Sequence, residues 1–204
     1  MSHGDLDEAE RALDEASSLS HSNEVRLFLP LVLSALGNLY LQRAQAAKAK
    51  DVLLVAKEEA EALGHSSSIL LASTYLASAH ALLGDIPKGL ETARACQAGA
   101  KQKGFQAIET LAVFSEAVIL SLQGGAAATD SIAQFRRTIK LAADLEAWPL
   151  LGTARGALAR LLSAMGRTSE AQEELGQAIE IFAKSKMTIQ LERAKAVLSK
   201  FSSV

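Results

Sequence analysis

Few side chains in this 204-residue chain combine the residue types and spacings that catalysis or metal binding requires. Glu61 and His65 lie four residues apart at a predicted helix end, and a solvated helix terminus explains this pair. His80 stands alone, and one histidine makes no metal site. The motifs of phosphate-binding loops, nucleophile elbows, zinc proteases and redox dithiols do not occur. The sequence therefore predicts no catalytic residue, no cofactor, no metal ion and no enzymatic activity.

Three other features each have two interpretations. Cys96 is either a buried, inert thiol or a reactive thiolate in a basic setting. Trp148 either packs between repeats or is an exposed aromatic anchor for a partner. Arg136, Arg137 and Lys140 form either a solvated helix face or a contact for phosphate or an acidic peptide.

The composition favours helices and excludes several classes of protein. Apolar residues make up 49% of the chain and aromatic residues 4%, so Ala and Leu dominate, which favours helix over sheet. The net charge of -2 gives no electrostatic reason for direct binding to nucleic acid. A single cysteine excludes an internal disulfide, and the acidic N-terminus is unlike a secretory signal. We expect no membrane span and a cytoplasmic location.

A turn environment recurs along the chain at Gly4, Ala44, Gly84, Ala126 and Gly166. The separations between these five anchors are 40, 40, 42 and 40 residues. The Gly124-Gly125 pair accounts for the longer interval, because it lengthens one turn by two residues. A period near 40 residues is typical of helical-hairpin repeats, in which a first helix precedes each anchor and a second helix follows it.

Small residues occupy two fixed positions after each anchor, and a mostly large residue lies between them. The small residues five positions after the anchors are Ala9, Ala49, Gly89, Ser131 and Ala171, and those twelve after are Ala16, Ala56, Cys96, Thr138 and Ala178. The residues nine after are Leu13, Leu53, Ala93, Phe135 and Leu175. Helices approach closely only where no large side chain intervenes, so we expect both sets to be buried where helices meet.

The ends of the repeat array differ. We expect one repeat domain over 1–204, with a half repeat at 5–18, hairpins at about 24–63, 69–103, 105–145 and 149–184, and a capping helix at 187–202. The apolar stripe of the capping helix is Met187, Leu191, Ala194, Leu198 and Phe201. Because the array begins in mid-repeat, we expect either the C-terminal part of a larger bacterial protein or self-association through the N-terminal half repeat.

Two segments resemble the tetratricopeptide repeat (TPR) family. They are ALGNLY (35–40), with Ala49, Leu53 and Ala56, and ALARLL (157–162), with Gly166, Ala171, Leu175 and Ala178. The period is longer than the roughly 34 residues of that family and is similar to the sensor arms of large bacterial LuxR-type and ATPase signalling regulators. The resemblance implies an all-α, right-handed superhelical solenoid of antiparallel helix pairs, with about ten helices and a C-terminal cap.

The resemblance also implies a concave groove lined by the first helix of each repeat. The polar residues it assigns to this groove are Ser34, Asn38, Gln42, Thr74, Ser78, Glu116, Gln123, Thr153 and Arg160. This set is mainly neutral, and it lacks the Lys and Arg clamp that would capture a terminal carboxylate. We therefore expect a helix, a mixed-polarity peptide or a small neutral ligand in the groove.

Two functions fit these expectations. The first is a non-catalytic scaffold that binds a protein or peptide segment in the groove. The alternative is a small-molecule sensor arm of a signal-transduction ATPase or transcription regulator, in which a ligand alters oligomerisation.

Overall fold

The computed structural model describes residues 3–20 and 26–201, although not the side chains of 3–6, 20, 200 and 201. These ranges contain no strand and form a short 3₁₀ helix, Arg26–Phe28, and ten α-helices. The helices are α1 His3–Ser20, α2 Leu29–Gln42, α3 Ala46–Ala62, α4 Ser66–Leu82, α5 Ile86–Lys103, α6 Gln106–Gln123, α7 Ala127–Asp144, α8 Trp148–Ala164, α9 Thr168–Lys184 and α10 Thr188–Phe201. The predicted all-α fold of paired helices is confirmed.

The chain divides into two compact units, Met1–Ser115 and Glu116–Val204. In the first unit, α1 packs on α2, α2 on α3, α3 on α4, and α4 on α5. In the second unit, α7 packs on α8, α8 on α9, and α9 on α10. Within each unit, these helices thus pack on their neighbours in sequence, as in repeat proteins. The single domain over 1–204, with its half repeat and hairpin boundaries, stays a prediction.

A left-handed residue ends most of the helices. The residues in this conformation, with φ between 52° and 94°, are Ala44, Gly64, Gly84, Gly104, Glu146, Gly166 and Lys186. At the first of them, the N–H of Ala44 donates to the carbonyl of Leu41 at 3.0 Å, and the N–H of Gln45 donates to that of Tyr40 at 2.9 Å. These two bonds define the Schellman motif, which satisfies carbonyls that a helix end leaves free.

The turn between α6 and α7 differs from the others. Both Gly124 and Gly125 have positive φ, of 68° and 54°, whereas Ala126 has helical φ and ψ of -61° and -28°. The N–H groups of Ala127 and Ala128 donate to the carbonyls of these two glycines. The two additional residues of the 42-residue interval therefore lie in a double-glycine turn, as the sequence predicted.

The small residues of the repeat pattern are buried in both units. Ala49, Ala56, Ser131, Ala171 and Ala178 each have 0% of their surface exposed. The Ser131 hydroxyl, which replaces a methyl group, donates to the Ala117 carbonyl at 2.8 Å and is therefore satisfied inside the core. The expected burial of the small positions is confirmed from Ala49 onward, whereas Ala9 and Ala16 of α1 are partly exposed.

Glycines inside helices mark the closest approaches. A Cβ added to Gly37 of α2 would lie 2.4 Å from Cγ of Leu53 on α3. A Cβ added to Gly152 of α8 would lie 2.5 Å from Cε1 of Phe182 on α9. Both distances are shorter than a van der Waals contact, so these positions accept no larger residue without movement of the helices.

The first helix is fixed to α2 by apolar packing and by an ionic cluster. Ala9 and Leu13 pack against the core formed by Leu36, Tyr40 and Leu53, among others. The Arg43 guanidinium donates to the carboxylates of Glu10 and Asp7, and the Tyr40 hydroxyl donates to Glu10 at 3.0 Å. Leu6, which the sequence places in the same apolar stripe, lies outside the described side chains.

The last helix covers the end of α9. Met187, Leu191 and Leu198 of the predicted stripe pack against a core that contains Phe182 and Ala194. Phe201, the final residue of that stripe, lies outside the described side chains. The expected packing face of α10 is confirmed for the residues that the structure describes.

Candidate partner-binding surface

The first helices of the first unit carry no charge. Neither α2, with 14 residues, nor α4, with 17, contains an Asp, Glu, Lys or Arg. Their partner helices α3 and α5 contain seven and five such residues. Part of the uncharged surface is apolar and accessible, because Leu31 of α2 and Leu82 of α4 are each 45% exposed.

Two of the predicted groove residues in this unit are inside the packed helices. Ser34 has 0% of its surface exposed, and its hydroxyl donates to the Pro30 carbonyl at 2.6 Å. Thr74 is 1% exposed and donates to the Leu70 carbonyl at 2.7 Å. Each hydroxyl is satisfied by its own helix one turn earlier, so neither residue offers a free group to a ligand.

The other predicted residues of the first unit reach the surface. Asn38 is partly exposed and Gln42 is exposed, both on α2. Ser78 of α4 is partly exposed and shares a hydrogen bond of 2.8 Å with the hydroxyl of Ser115. Ser115 also lies 3.3 Å from the Thr74 carbonyl, so this pair fixes the first part of α6 to α4.

The predicted residues of the second unit differ in accessibility. Glu116 is buried, at 4% exposure, whereas Gln123 is exposed at the end of α6. Thr153 is exposed and donates to the Pro149 carbonyl at 2.7 Å. Arg160 is exposed as a residue, yet burial lowers the pKa of its guanidinium.

The remaining candidates from the sequence have clear surroundings. Cys96 is buried, and burial raises the pKa of its thiol, so the inert interpretation holds. Trp148 is 45% exposed, which agrees with the exposed-anchor alternative. Arg136 lies 3.7 Å from Glu170, while Arg137 and Lys140 are exposed on the same helix. Within the described ranges, no group of three or more His, Cys, Asp or Glu residues could hold a metal ion.

Sequence reasoning missed two open clefts in the first unit. One, of about 390 Å³, lies between α4 and α5 and is lined by Leu70, Ser73, Lys88, Glu91, Thr92, Ala95 and Cys96. The other, of about 430 Å³, lies between the start of α3 and the end of α4 and is lined by Ala44, Gln45, Ala46, Ala47, Lys48, Leu82 and Leu83. The adjacent leucines before Gly84 were the available signal for the second cleft, because two neighbours in a helix cannot both face the core.

The length and hydropathy of the helices bear on whether any of them could span a membrane. Over the part of the chain that the structure describes, no helix is both long and apolar enough to cross a bilayer.

The fold is shared with solved TPR-like structures. BtubC (BKLC) from P. vanneervenii matches over 97% of this chain and 85% of its own, with 16% identity and a TM-score of 0.63. A Podosopora anserina protein of nearly identical TPR-like repeats matches over 90% of both chains, with 20% identity and a TM-score of 0.53.

A third similar structure is a Rap protein complexed with Competence and Sporulation Factor. It matches over 98% of this chain but 59% of its own, with 18% identity and a TM-score of 0.62. No protein-family model and no curated protein matches the chain. The chain therefore shares the fold of these TPR-like structures, which is the fold that the sequence resemblance implied.

Proposed function

We propose that this chain is a non-catalytic interaction module that binds a partner segment along the first helices of its repeats. The observation that carries the proposal is the absence of charge from α2 and α4, beside second helices rich in charged residues. Burial in the core explains part of this bias. It does not explain Leu31 and Leu82, which are each 45% exposed on these two helices.

The chemistry of the accessible residues supports an amphipathic partner. Leu31 and Leu82 offer apolar contact area, while Asn38 and Gln42 offer amide donors and acceptors on the same helix of the first repeat. An amphipathic helix in a groove uses such a surface by placing apolar side chains at intervals of three and four residues. A highly charged ligand would find no opposite charge on these two helices.

The test uses charge introduced at exposed groove positions. A Leu31→Glu, Gln42→Glu chain should fold normally, since both side chains are accessible and surface changes alter stability by about 0.5 kcal/mol or less. Proteins captured from extracts of the source cells would be compared by quantitative mass spectrometry. The partner would then be purified and its affinity measured by calorimetry. We expect at least about a 10-fold loss of affinity, because a buried unpaired charge costs more than 1.4 kcal/mol.

The matched control is Leu54→Glu on α3, where the leucine is 39% exposed but lies on the charged second helix. It should leave partner binding unchanged. Equal loss in both variants, or unchanged affinity in the groove variant, would contradict the proposed binding surface.

A second candidate function is that of a small-molecule sensor arm in a signalling or transcription regulator. The open cleft of about 390 Å³ between α4 and α5 is the feature that favours it. Lys88, Glu91 and Thr92 would supply its polar contacts. A metabolite that raises the Tm of the chain, with no effect on a Thr92→Val, Lys88→Ala variant, would favour sensing. Cytoplasmic location is part of both proposals.

A further inference from the structure

The first helix keeps apolar surface that equivalent helices bury. Leu13 of α1 is partly exposed, whereas Leu53 and Leu175, which lie at the same distance from later anchors, are 0% and 3% exposed. Among the described elements, α1 packs on α2 and on the short 3₁₀ helix, while α3 packs on both α2 and α4. One side of Leu13 is therefore open to solvent.

The last helix shows the same kind of accessible apolar surface. Leu191 and Leu198 of α10 are partly exposed, whereas Leu151 and Leu158, which lie 40 residues earlier on α8, are 5% and 0% exposed. The helix α8 packs on both α7 and α9, and α10 packs on α9. In repeat order α10 is a first helix and α1 is a second helix, so each has a face of the kind that the other covers in a complete hairpin.

A complete hairpin shows how two such faces fit together. Leu53 of α3 lies against Gly37 of α2, where an added Cβ would come within 2.4 Å of the leucine Cγ. The corresponding residues of the terminal helices are Leu13 on α1 and Ser199 on α10. Ser199 is small and exposed, and its hydroxyl donates to the Ala196 carbonyl of its own helix at 3.1 Å. The face of α10 therefore has a small residue where a leucine of a second helix would insert.

The charges of the two faces are complementary. In the fourth hairpin, Arg155 of α8 pairs with Glu174 of α9 at 2.5 Å. Lys195 holds the place of Arg155 on α10. On α1, Glu8 and Glu15 lie one turn before and one turn after the place of Glu174. Both glutamates are exposed and make no ion pair with any described residue, so they can accept an ammonium group from outside.

We propose that α10 of one copy of this chain packs on α1 of a second copy and completes a hairpin with it. Leu13 then lies over Ser199 of the other copy. Lys195 exchanges its exposed partner on α10, at 3.0 Å, for the two glutamates of α1. Because two different surfaces meet, the contact is heterologous and extends from copy to copy into open chains or rings.

A second copy is the partner that these observations favour over an unrelated protein. The chain itself supplies a first helix with accessible leucines, a small residue to receive Leu13 and a cation to face the glutamates. The contact does not involve Leu31, Asn38 or Gln42. It can therefore hold or fail independently of the proposed groove.

Sedimentation velocity of the full chain at increasing concentration measures this contact. The weight-average sedimentation coefficient should rise reversibly with concentration, because a contact between two helices buries less than the roughly 1,200 Å² of stable interfaces and is weak. Added salt should reduce the association, since exposed ion pairs are screened.

Charge reversals on the two helices test which surfaces meet. Glu8→Lys, Glu15→Lys on α1 and Lys195→Glu on α10 should each weaken self-association at least about 5-fold, because like charges then face each other. An equimolar mixture of the two variants should associate again, since opposite charges meet between unlike copies. Ser199→Trp should also weaken association at least about 5-fold, because the indole fills the space for the leucine.

The matched control is Asp51→Lys, Glu58→Lys on α3. It has the same spacing and the same change of net charge, at two exposed positions, and should leave self-association unchanged. All these positions are exposed, so the Tm should change little in any variant.

Four results would each overturn the proposal. The first is a monomer up to the solubility limit of the chain, and the second is a mixture of the two charge variants that does not associate. The third is equal loss of association in the α3 control. The fourth is association that survives both Lys195→Glu and Ser199→Trp, which would place the contact elsewhere.

Discussion

At the residue scale, three helix ends carry a side chain where the backbone favours glycine. Ala44, Glu146 and Lys186 have φ values of 57°, 52° and 56°. The left-handed conformation costs an L-residue roughly 1–2 kcal/mol in the folded state. A glycine avoids this cost, but it also increases the conformational entropy of the unfolded chain, which offsets part of the gain. Glu146→Gly and Lys186→Gly should therefore each stabilise the chain by about 0.5–1 kcal/mol in urea unfolding.

The reverse change serves as the control. Gly64 has a φ of 67°, and a Cβ added there would meet no atom within 4 Å. Gly64→Ala should thus destabilise by about 1 kcal/mol through conformation alone. Equal stability of all these variants would show that the turns relax to another conformation.

The small positions of the repeat give a second prediction at this scale. Ala49 is fully buried, so Ala49→Leu should overpack the contacts of α3 and cost about 1–3 kcal/mol. Ala47→Leu, on an exposed position of the same helix, should change the free energy of unfolding by less than about 0.5 kcal/mol. Similar urea midpoints for the two variants would contradict the repeat register.

The burial of these small residues was predictable from their spacing in the sequence, but the exposure of the Ser and Thr residues assigned to the groove was not. Small and large residues at fixed offsets report helix contacts, because helix geometry fixes which residues face a neighbour. Ser34 and Thr74 were assigned to the groove for their polarity, yet both are buried and bonded to their own helices. A Ser or Thr hydroxyl in a helix can donate to the backbone carbonyl one turn earlier, so it needs no hydrogen bond from water. The polarity of these residues therefore did not predict their exposure.

At the element scale, the attachment of α1 to α2 depends on the protonated form of Tyr40. Burial, and then the hydrogen bond to Glu10, raise the pKa of Tyr40 from 10.0 to about 12. A raised pKa means that the fold stabilises the neutral phenol. This contribution is therefore complete below pH 10 and is lost as the pH rises through about 12.

The measurement is the near-ultraviolet absorbance of tyrosinate in an alkaline titration. Subtraction of the Tyr40→Phe titration isolates this residue from Tyr75, whose pKa is also raised by burial. Glu10→Gln should lower the midpoint of Tyr40 only in part, because burial is the larger cause. A wild-type midpoint near 10 would indicate that α1 does not cover the ring in solution.

At the element scale, the residues that end the helices were only partly predictable from the sequence. The recurring Gly and Ala anchors predicted where the turns fall, but Glu146 and Lys186 end helices in the same conformation without glycine.

At the scale of the whole molecule, charge is divided between the two kinds of helix in the first unit. The first helices, α2 and α4, are uncharged, whereas the second helices, α3 and α5, contain several charged residues. This contrast indicates that the first helices make mainly apolar contacts. In the second unit the first helix is different, because α8 contains Arg155 and Arg160, and Arg155 is paired with Glu174 of α9. The proposed partner surface therefore comprises α2 and α4 of the first unit.

Packing between helices adjacent in sequence also predicts which helices a destabilising core substitution affects. Leu175 of α9 is 3% exposed and belongs to the core with Phe182 and Ala194, so Leu175→Ala should cost about 2–5 kcal/mol. In hydrogen exchange, we expect the amides of α8 to α10 to lose most of their protection while those of α2 and α3 keep theirs. Leu53→Ala, at a fully buried leucine of the first unit, should give the opposite pattern. A uniform loss along the chain in both variants would mean that the two units unfold as one cooperative body, contrary to the behaviour of a stack stabilised by nearest neighbours.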